Sequence, residues 1–592
     1  MLSVLGVKLG PQHDTGACLI VEKGGELACT AIAEERLSRQ KHSRVLPELS
    51  IRYCLDAHGL TLRDVSLIVI DTLGPTTLVG DVNPVSRIEQ PGLYDDATRQ
   101  FLAEAEAATD AVVLNHHLAH AASAYHVLGT DRAAILIVDG SGSAWPAHES
   151  PDRNIWVGPA GTIPDYRLRR SDRRRETQSV FLGRGRDLRR RAVSTLSGVG
   201  HFYTWVTERV VGFGHLQEGK LMGLAGWGDP EEARRWPRID TSLFRGIDTP
   251  ILDHLMDRQI NPPLRTDRPP TDPFYAGLAR WAQQTLEDAV DYLARYAIDL
   301  CGAADLCLAG GVGLNVVANR RIRENLDGSL FIQPAASDTG TPLGCALYGY
   351  YNLLGGRLPF QRELAYLGRR LDGAQAAVLL AAAGGRRSAD VYRQTAAHLA
   401  ANRIVGWCRG PSEYGPRALG NRSILCSPRQ PWIKDHLNVE VKHREAFRPF
   451  APIVREERAA RFFDVDYPVP YMLINAIVRP EYREKLPAIT HVDGSARLQT
   501  VNERQNPPMY RLLRAFEELD ECGVLLNTSF NDAGEPIVET AQDALQCFLR
   551  TGLDVLVCED AMLTKEQWRA HAPPTRPATP AHPHPCVGSG TA

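Results

Sequence analysis

Two short apolar runs end abruptly in acid or glycine: Ala133 to Val138 leads into Asp139-Gly140-Ser141-Gly142, and Leu306 to Ala309 into Gly310-Gly311. A continuous apolar run bounded by turn residues is the pattern of a strand buried on both faces, as in a parallel sheet covered by helices. In open α/β sheets the loops at the carboxyl ends of such strands form the ligand crevice. The opening adds more strands, over Leu2 to Val7, Ala17 to Val21 and Leu27 to Ala33, with a turn-rich Gly10 to Gly16 between the first two. Phe274 to Leu300 repeats apolar residues at helical spacing (Leu278, Trp281, Leu286, Val290, Leu293, Ala297) and predicts an amphipathic packing helix.

A second organisation begins near residue 370. Alanine-rich helical stretches, Ala374 to Ala383 and Val391 to Ala401, precede a strand at Ile404 to Trp407, with further strands at Gly523 to Leu526 and Val555 to Cys558. At 592 residues the chain exceeds one compact domain. The expected division is 1–368, 369–568 and a disordered Pro/Ala-rich tail over 569–592. Residues 146–196, with Arg167, Arg169, Arg170, Arg173, Arg174 and Arg175, read as an insertion with a solvated charged face. No internal repeat is visible.

Charge narrows the function. Lys plus Arg is 67 against 70 for Asp plus Glu, a net charge of -3, which excludes the strongly basic field of a general nucleic-acid binder. The 12 cysteines form no CxxC pair, so reduced core cysteines are expected rather than a zinc knuckle or redox dithiol. The longest apolar stretch, Ala376 to Ala383, is far short of the ~20 residues that span a bilayer, and the N-terminus has no signal-peptide pattern. A cytoplasmic protein with no membrane partner is expected.

Three groups of residues carry chemistry. In Asn115-His116-His117-Leu118-Ala119-His120, a helix beginning here puts His116 and His120 on one face, where both imidazoles can bind one ion. Joined by Asp139 and by Asp338 of Ser337-Asp338-Thr339-Gly340, they suit Fe2+, with Mn or Zn also fitting. Glycine-rich elements point to a nucleotide: His13-Asp14-Thr15-Gly16, Glu218-Gly219-Lys220 and Gly310-Gly311 leave room for a phosphate beside backbone amides. The third group is EYGPRALGNRS from Glu413, VKHREAFRPF from Val441, and Asn527-Thr528-Ser529-Phe530-Asn531. Arg and Lys interleaved with Gly-Pro and Phe-Arg-Pro-Phe fit a clamp on several phosphates better than a solvated face. Turns and caps are the alternative reading of the glycines and of Asn531.

Taken together, HHLAHA, Asp139, EGKLMGLA, LAGGVGLN, SDTGTPLG, EYGPRALGNRS, VKHREAFRPFAP and LLNTSFN resemble the O-carbamoyltransferases of the nodulation-protein and cephem-carbamoylation family, from about residue 2 to about 565. The resemblance implies an α/β and α+β enzyme: an N-terminal actin-like ATPase (ASKHA) domain, like that of the tRNA threonylcarbamoyl-transfer metalloprotein, followed by a YrdC-like domain. The YrdC-like site would form carbamoyl adenylate from carbamoyl phosphate and ATP, with Mg2+. The actin-like domain would then pass the carbamoyl group to a hydroxyl of a small molecule, an antibiotic or other natural product. Carried onto this chain, the metal ligands would be His116, His120, Asp139 and Asp338. Adenylate contacts would be Glu218, Lys220, Gly310, Gly311 and Asn315, and the activation site Arg417, Lys442, Arg448, Arg497, Asn527 and Ser529. His13 is the candidate general base beside the phosphate loop, and Asp229 a candidate acceptor contact whose alternative is a loop turn. A tRNA threonylcarbamoyl-type transferase and an ATP-gated actin-like regulator stay open as alternatives, and so do the acceptor's identity and a homo-oligomer.

Overall fold

The computed structural model describes residues 2–10, 13–72, 81–85, 94–146, 173–194, 198–236, 239 and 271–571. The chain forms mixed α/β sheets. The first has six strands, β1 (Ser3–Leu9), β2 (Gly16–Lys23), β3 (Glu26–Ala33), β4 (Leu67–Thr72), β5 (Val82–Pro84) and β6 (Ala111–Leu114), in the order β3-β2-β1-β4-β6-β5. Strands β1, β2 and β3 are antiparallel neighbours, whereas β1, β4 and β6 run parallel. A separate two-stranded ribbon of β8 (Ala144–Pro146) and β9 (Arg173–Arg175) follows β7 (Arg132–Val138) in chain order.

The second sheet joins β7 to β10 (Gln178–Arg184), β11 (Asp187–Ser194), β12 (Leu306–Ala309) and β13 (Leu330–Ile332), in the order β11-β10-β7-β12-β13. An antiparallel hairpin again lies on one side of the lead strand and parallel strands on the other. Apart from the edge strand β5, the two sheets therefore share one topology, a duplication that the sequence does not display.

This corrects the reading of 146–196 as an insertion. Residues 147–172, with Arg167, Arg169 and Arg170, lie outside the described residues, but 178–194 are two strands of the second sheet. The arginines misled because a charged side chain on a sheet can still be interior: Arg190 is largely buried, bonded to Glu176 and, at 2.7 Å, to Asp81. The tail beyond His571 likewise lies outside the described residues, and residues 569–571 finish a helix, Lys565–His571.

Five helices position the functional residues: α1 (His116–Tyr125), α2 (Glu218–Ala225), α3 (Pro273–Cys301), α4 (Val316–Asn325) and α5 (Thr341–Tyr348). Strand β7 explains its own unbroken apolarity. Ala133, Ile135 and Ile137 pack with α1 and α5 in one core, while Ala134, Leu136 and Val138 pack with α3 in another. Helix α1 is buried along all of its length, held between the sheets beside α5. Such packing needs small residues. A Cβ on Gly344 of α5 would stand 1.8 Å from the Ala119 carbonyl oxygen of α1, and one on Gly6 of β1 would stand 2.0 Å from that of Pro342.

A third, eight-stranded sheet is drawn from residues 386–564, with Val405–Cys408, Arg422–Cys426 and Leu525–Ser529 near its centre. Among the described residues the cysteines are unpaired and buried, and no helix is long and apolar enough to cross a membrane.

Gly344→Ala forces backbone apart between two buried helices, and overpacking of this kind costs about 1–3 kcal/mol. Urea unfolding should show a stability lowered by that amount at unchanged m, whereas Gly219→Ala, in α2 with open space where its Cβ would stand, should cost nothing.

Candidate functional site

The duplicated topology brings carboxyl ends of strands from both sheets to one place. Asn115 caps α1, its side chain accepting from the Leu118 amide at 3.0 Å, so His116 and His120 project from the first turns. Asp139 follows β7, and Asp338 stands in the turn before α5. His116 Nε2 lies 3.2 Å from His120 Nε2, 3.4 Å from Asp139 Oδ2 and 3.4 Å from Asp338 Oδ1. All four residues are buried, and their four donor atoms lie within 4.8 Å of one another.

The remaining atoms of these groups are held from behind. Asp139 Oδ1 accepts from the Gly311 amide at 2.9 Å, which gives Gly310-Gly311 a role at the strand end. His116 Nδ1 meets Asp71 Oδ2 at 2.9 Å, which turns the lone pair of Nε2 toward the cluster. Lys8 lies 3.2 Å from Asp71 and 3.3 Å from Asp338 Oδ2. Burial disfavours charge on His116, but the carboxylates of Asp71 and Asp338 outweigh it and raise the imidazole well above its ordinary pKa. These residues fit a divalent cation. Two buried carboxylates and two imidazoles face one point, and a cation there would offset the repulsion that Asp338 exerts on Asp139.

His13 lies in the β1–β2 turn, where burial works against its charge but the bond to Asp14, and then the Asp338 carboxylate, raise its pKa. Its Nδ1 lies 3.0 Å from Asp14 Oδ2, and His42 Nδ1 lies 2.9 Å from Asp14 Oδ1. Burial opposes the Asp14 charge, but the bonds to both histidines hold its carboxyl down at about 2.

The second centre is a cavity of about 150 Å³ where the parts of the chain meet. Arg417, Arg444, Arg448 and Arg497 line it, together with Asn527, Thr528 and Ser529 at the end of a central strand. Residues 1–368 contribute Gly219, Met222 and Gly223 of α2 and Val316 and Val317 of α4. Arg417 Nε, Arg444 Nη2 and Arg497 Nε are buried without a hydrogen-bond partner. Burial and then mutual repulsion lower these guanidinium pKa values, to about 10 at Arg417 and about 9 at Arg444. Asp493 also lines the cavity, but one of its oxygens accepts from the Ser495 amide and hydroxyl at 2.9 and 2.7 Å. Four converging cations, three of them with an unused donor, suit an anion.

Lys442 is not on the cavity wall. Its ammonium donates to the Ser529 carbonyl at 2.8 Å and to the carbonyl and side chain of Asn531 at 2.7 and 2.5 Å. It therefore braces the loop that carries Ser529. Lys220 pairs with Glu445 at 2.5 Å, Glu218 accepts from Thr204 at 2.8 Å, and Asn315 caps α4 while bonding Gln283 at 3.0 Å. Asp229 is exposed, and its side chain accepts from the Glu231 amide at 2.7 Å as a helix cap. That is the turn role, and it leaves the acceptor reading without support. Sequence reasoning missed Lys8, Asp71 and Arg444. Asp71 carries the same signal as Asp139, an acid ending the apolar run Leu67–Ile70.

A carbamoyltransferase N-terminus family model matches residues 3–78 and 261–347, and a carbamoyltransferase C-terminus model matches 396–565. The chain belongs to the carbamoyltransferase family. Nodulation protein NolNO of Sinorhizobium fredii is 34% identical over 93% of this chain and 79% of its own length. An uncharacterized protein of Synechocystis sp. is 33% identical over 95% of this chain and 97% of its own. Among solved structures, T. kodakarensis HypF aligns over 60% of this chain and 48% of its own at 16% identity, with a TM-score of 0.35, too slight to carry a fold assignment.

Both centres make measurable predictions. Inorganic pyrophosphate should raise the melting temperature, approaching about 2.7 kcal/mol of stabilisation at 100 times its Kd, and Arg497→Ala should remove most of that gain. Asp14, with its folded pKa below the unfolded value, contributes stability that is present above about pH 4 and lost as pH falls toward 2. Asp14→Asn should be less stable at pH 6 by about 2 kcal/mol, and the difference should shrink across that window in acid titrations.

Proposed function

We propose that the protein is an ATP-dependent O-carbamoyltransferase that activates carbamoyl phosphate as carbamoyl adenylate and passes the carbamoyl group to a hydroxyl of a small natural product. The observation that carries this reading is the cavity of four arginines, three of them with an unused donor, together with a separate buried cluster of two histidines and two aspartates. Carbamoyl phosphate would first lose inorganic phosphate to give carbamate, a poor electrophile, whose oxygen then attacks the α-phosphorus of ATP and expels pyrophosphate, so that AMP becomes a good leaving group. Arg417, Arg444, Arg448 and Arg497 would offset the phosphate charge that develops as pyrophosphate departs. Lys442 holds the Ser529 loop in place for that step.

We assign activation to a YrdC-like unit over 369–568 and transfer to an actin-like unit over 1–368, a reading supported by the repeated strand order of the first two sheets. In the transfer unit Gly219, Lys220 and Gly311 would meet the adenylate. Fe2+, or another divalent cation, would be held by His116, His120, Asp139 and Asp338, and would polarise the carbamoyl carbonyl as a Lewis acid. Asp14 orients His13 so that Nε2 can take the proton of the acceptor hydroxyl.

The test is pyrophosphate release from ATP with and without carbamoyl phosphate. Release should depend on carbamoyl phosphate and fall at least about 100-fold in Arg448→Ala, a loss of about 2.7 kcal/mol. Asp338→Ala should retain release and lose transfer once an acceptor is supplied. Release independent of carbamoyl phosphate would refute the activation step.

A further inference from the structure

Lys8 is a completely buried lysine on β1, in register with Asp71 on the neighbouring parallel strand β4. Its ammonium grips Oδ2 of Asp338 at 3.3 Å, while Oδ1 of the same carboxylate faces His116 at 3.4 Å and His120 at 3.6 Å. It also grips Asp71 at 3.2 Å, and Asp71 accepts from His116 Nδ1. Lys8 thus touches one candidate ligand and the carboxylate behind another, yet as an ammonium it offers no lone pair to a metal.

Charge in a buried cluster is poorly screened and has to balance nearby. With both imidazoles neutral, as ligation of a metal requires, Asp71, Asp139 and Asp338 enclose three negative charges and Lys8 returns one positive charge. The residue set is left with two negative charges, which a divalent cation neutralises and a trivalent cation overshoots. We propose that Lys8 sets the charge of this centre, matching it to a divalent cation and discriminating against a trivalent one. The inference rests on the reading of His116, His120, Asp139 and Asp338 as a metal site.

Iron is a suitable probe because one element presents both charges. The full chain, loaded anaerobically with Fe(II), is titrated at an electrode through soluble mediators to obtain the Fe(III)/Fe(II) midpoint potential. Lys8→Met should shift relative affinity toward Fe(III) by about tenfold or more, equivalent to a fall of about 59 mV for one electron. Asp71→Asn, whose side-chain carbonyl can still accept from His116, should shift the potential the opposite way. The double variant Lys8→Met/Asp71→Asn restores the original charge and should return the potential near that of the unmodified protein. A Lys8→Met potential unchanged from the unmodified protein would overturn the proposal, as would a double variant that keeps the single variant's low potential. If Lys8→Met does not fold, as judged by circular dichroism, Asp71→Asn and the double variant decide between the same outcomes. Failure of the unmodified protein to bind either Fe(II) or Zn(II) in equilibrium dialysis would overturn the metal reading itself, and this inference with it.

Discussion

The first half of the molecule depends on the close approach of two short helices held between two sheets. Helix α1 touches α5 through Ala119 and Gly344, and α5 touches β1 through Pro342 and Gly6, at distances that admit no side chain. This spacing brings the ends of β1, β4 and β7 within reach of the first turn of α1. The cluster of histidines and acids is thereby fixed by backbone packing rather than by loop conformation, which suits groups that must keep their geometry within fractions of an ångström.

Two centres of opposite charge result. Around His116 the acids outnumber the single buried lysine, whereas the cavity at the junction gathers four guanidiniums that repel one another. An acidic pocket seeks a cation and a basic pocket seeks an anion, so both hold unfavourable charge that a ligand would offset. Helix α2 lies between these roles: Gly219, Met222 and Gly223 form part of the cavity wall, and the Gly223 carbonyl meets His491 at 3.1 Å.

Much of the two centres was legible in the chain. His116 and His120 stood out by helical spacing, Asp139 by ending an apolar strand, and Arg417, Arg448 and Arg497 through the family resemblance. Lys8 and Asp71 were not, because each looks like a stray charge in a strand until its partner is known. Nor could the chain show that the buried ammonium of Lys442 is satisfied by the oxygens of Ser529 and Asn531 and so braces their loop. The arginine-rich stretch failed for a related reason. Hydropathy treats every arginine as solvated, whereas Arg190 is interior through its bonds to Glu176 and Asp81.

The sequence by itself determined the buried strands, the long helix now seen as Pro273–Cys301, and the local motifs, because periodicity and turn chemistry act between residues close in the chain. Only the tertiary structure decided that the two sheets share one topology, that Lys8 meets Asp338, and that α2 and α4 help to close a cavity of arginines. Those facts join residues far apart in the chain, and a charge's role depends on the partner that folding places beside it.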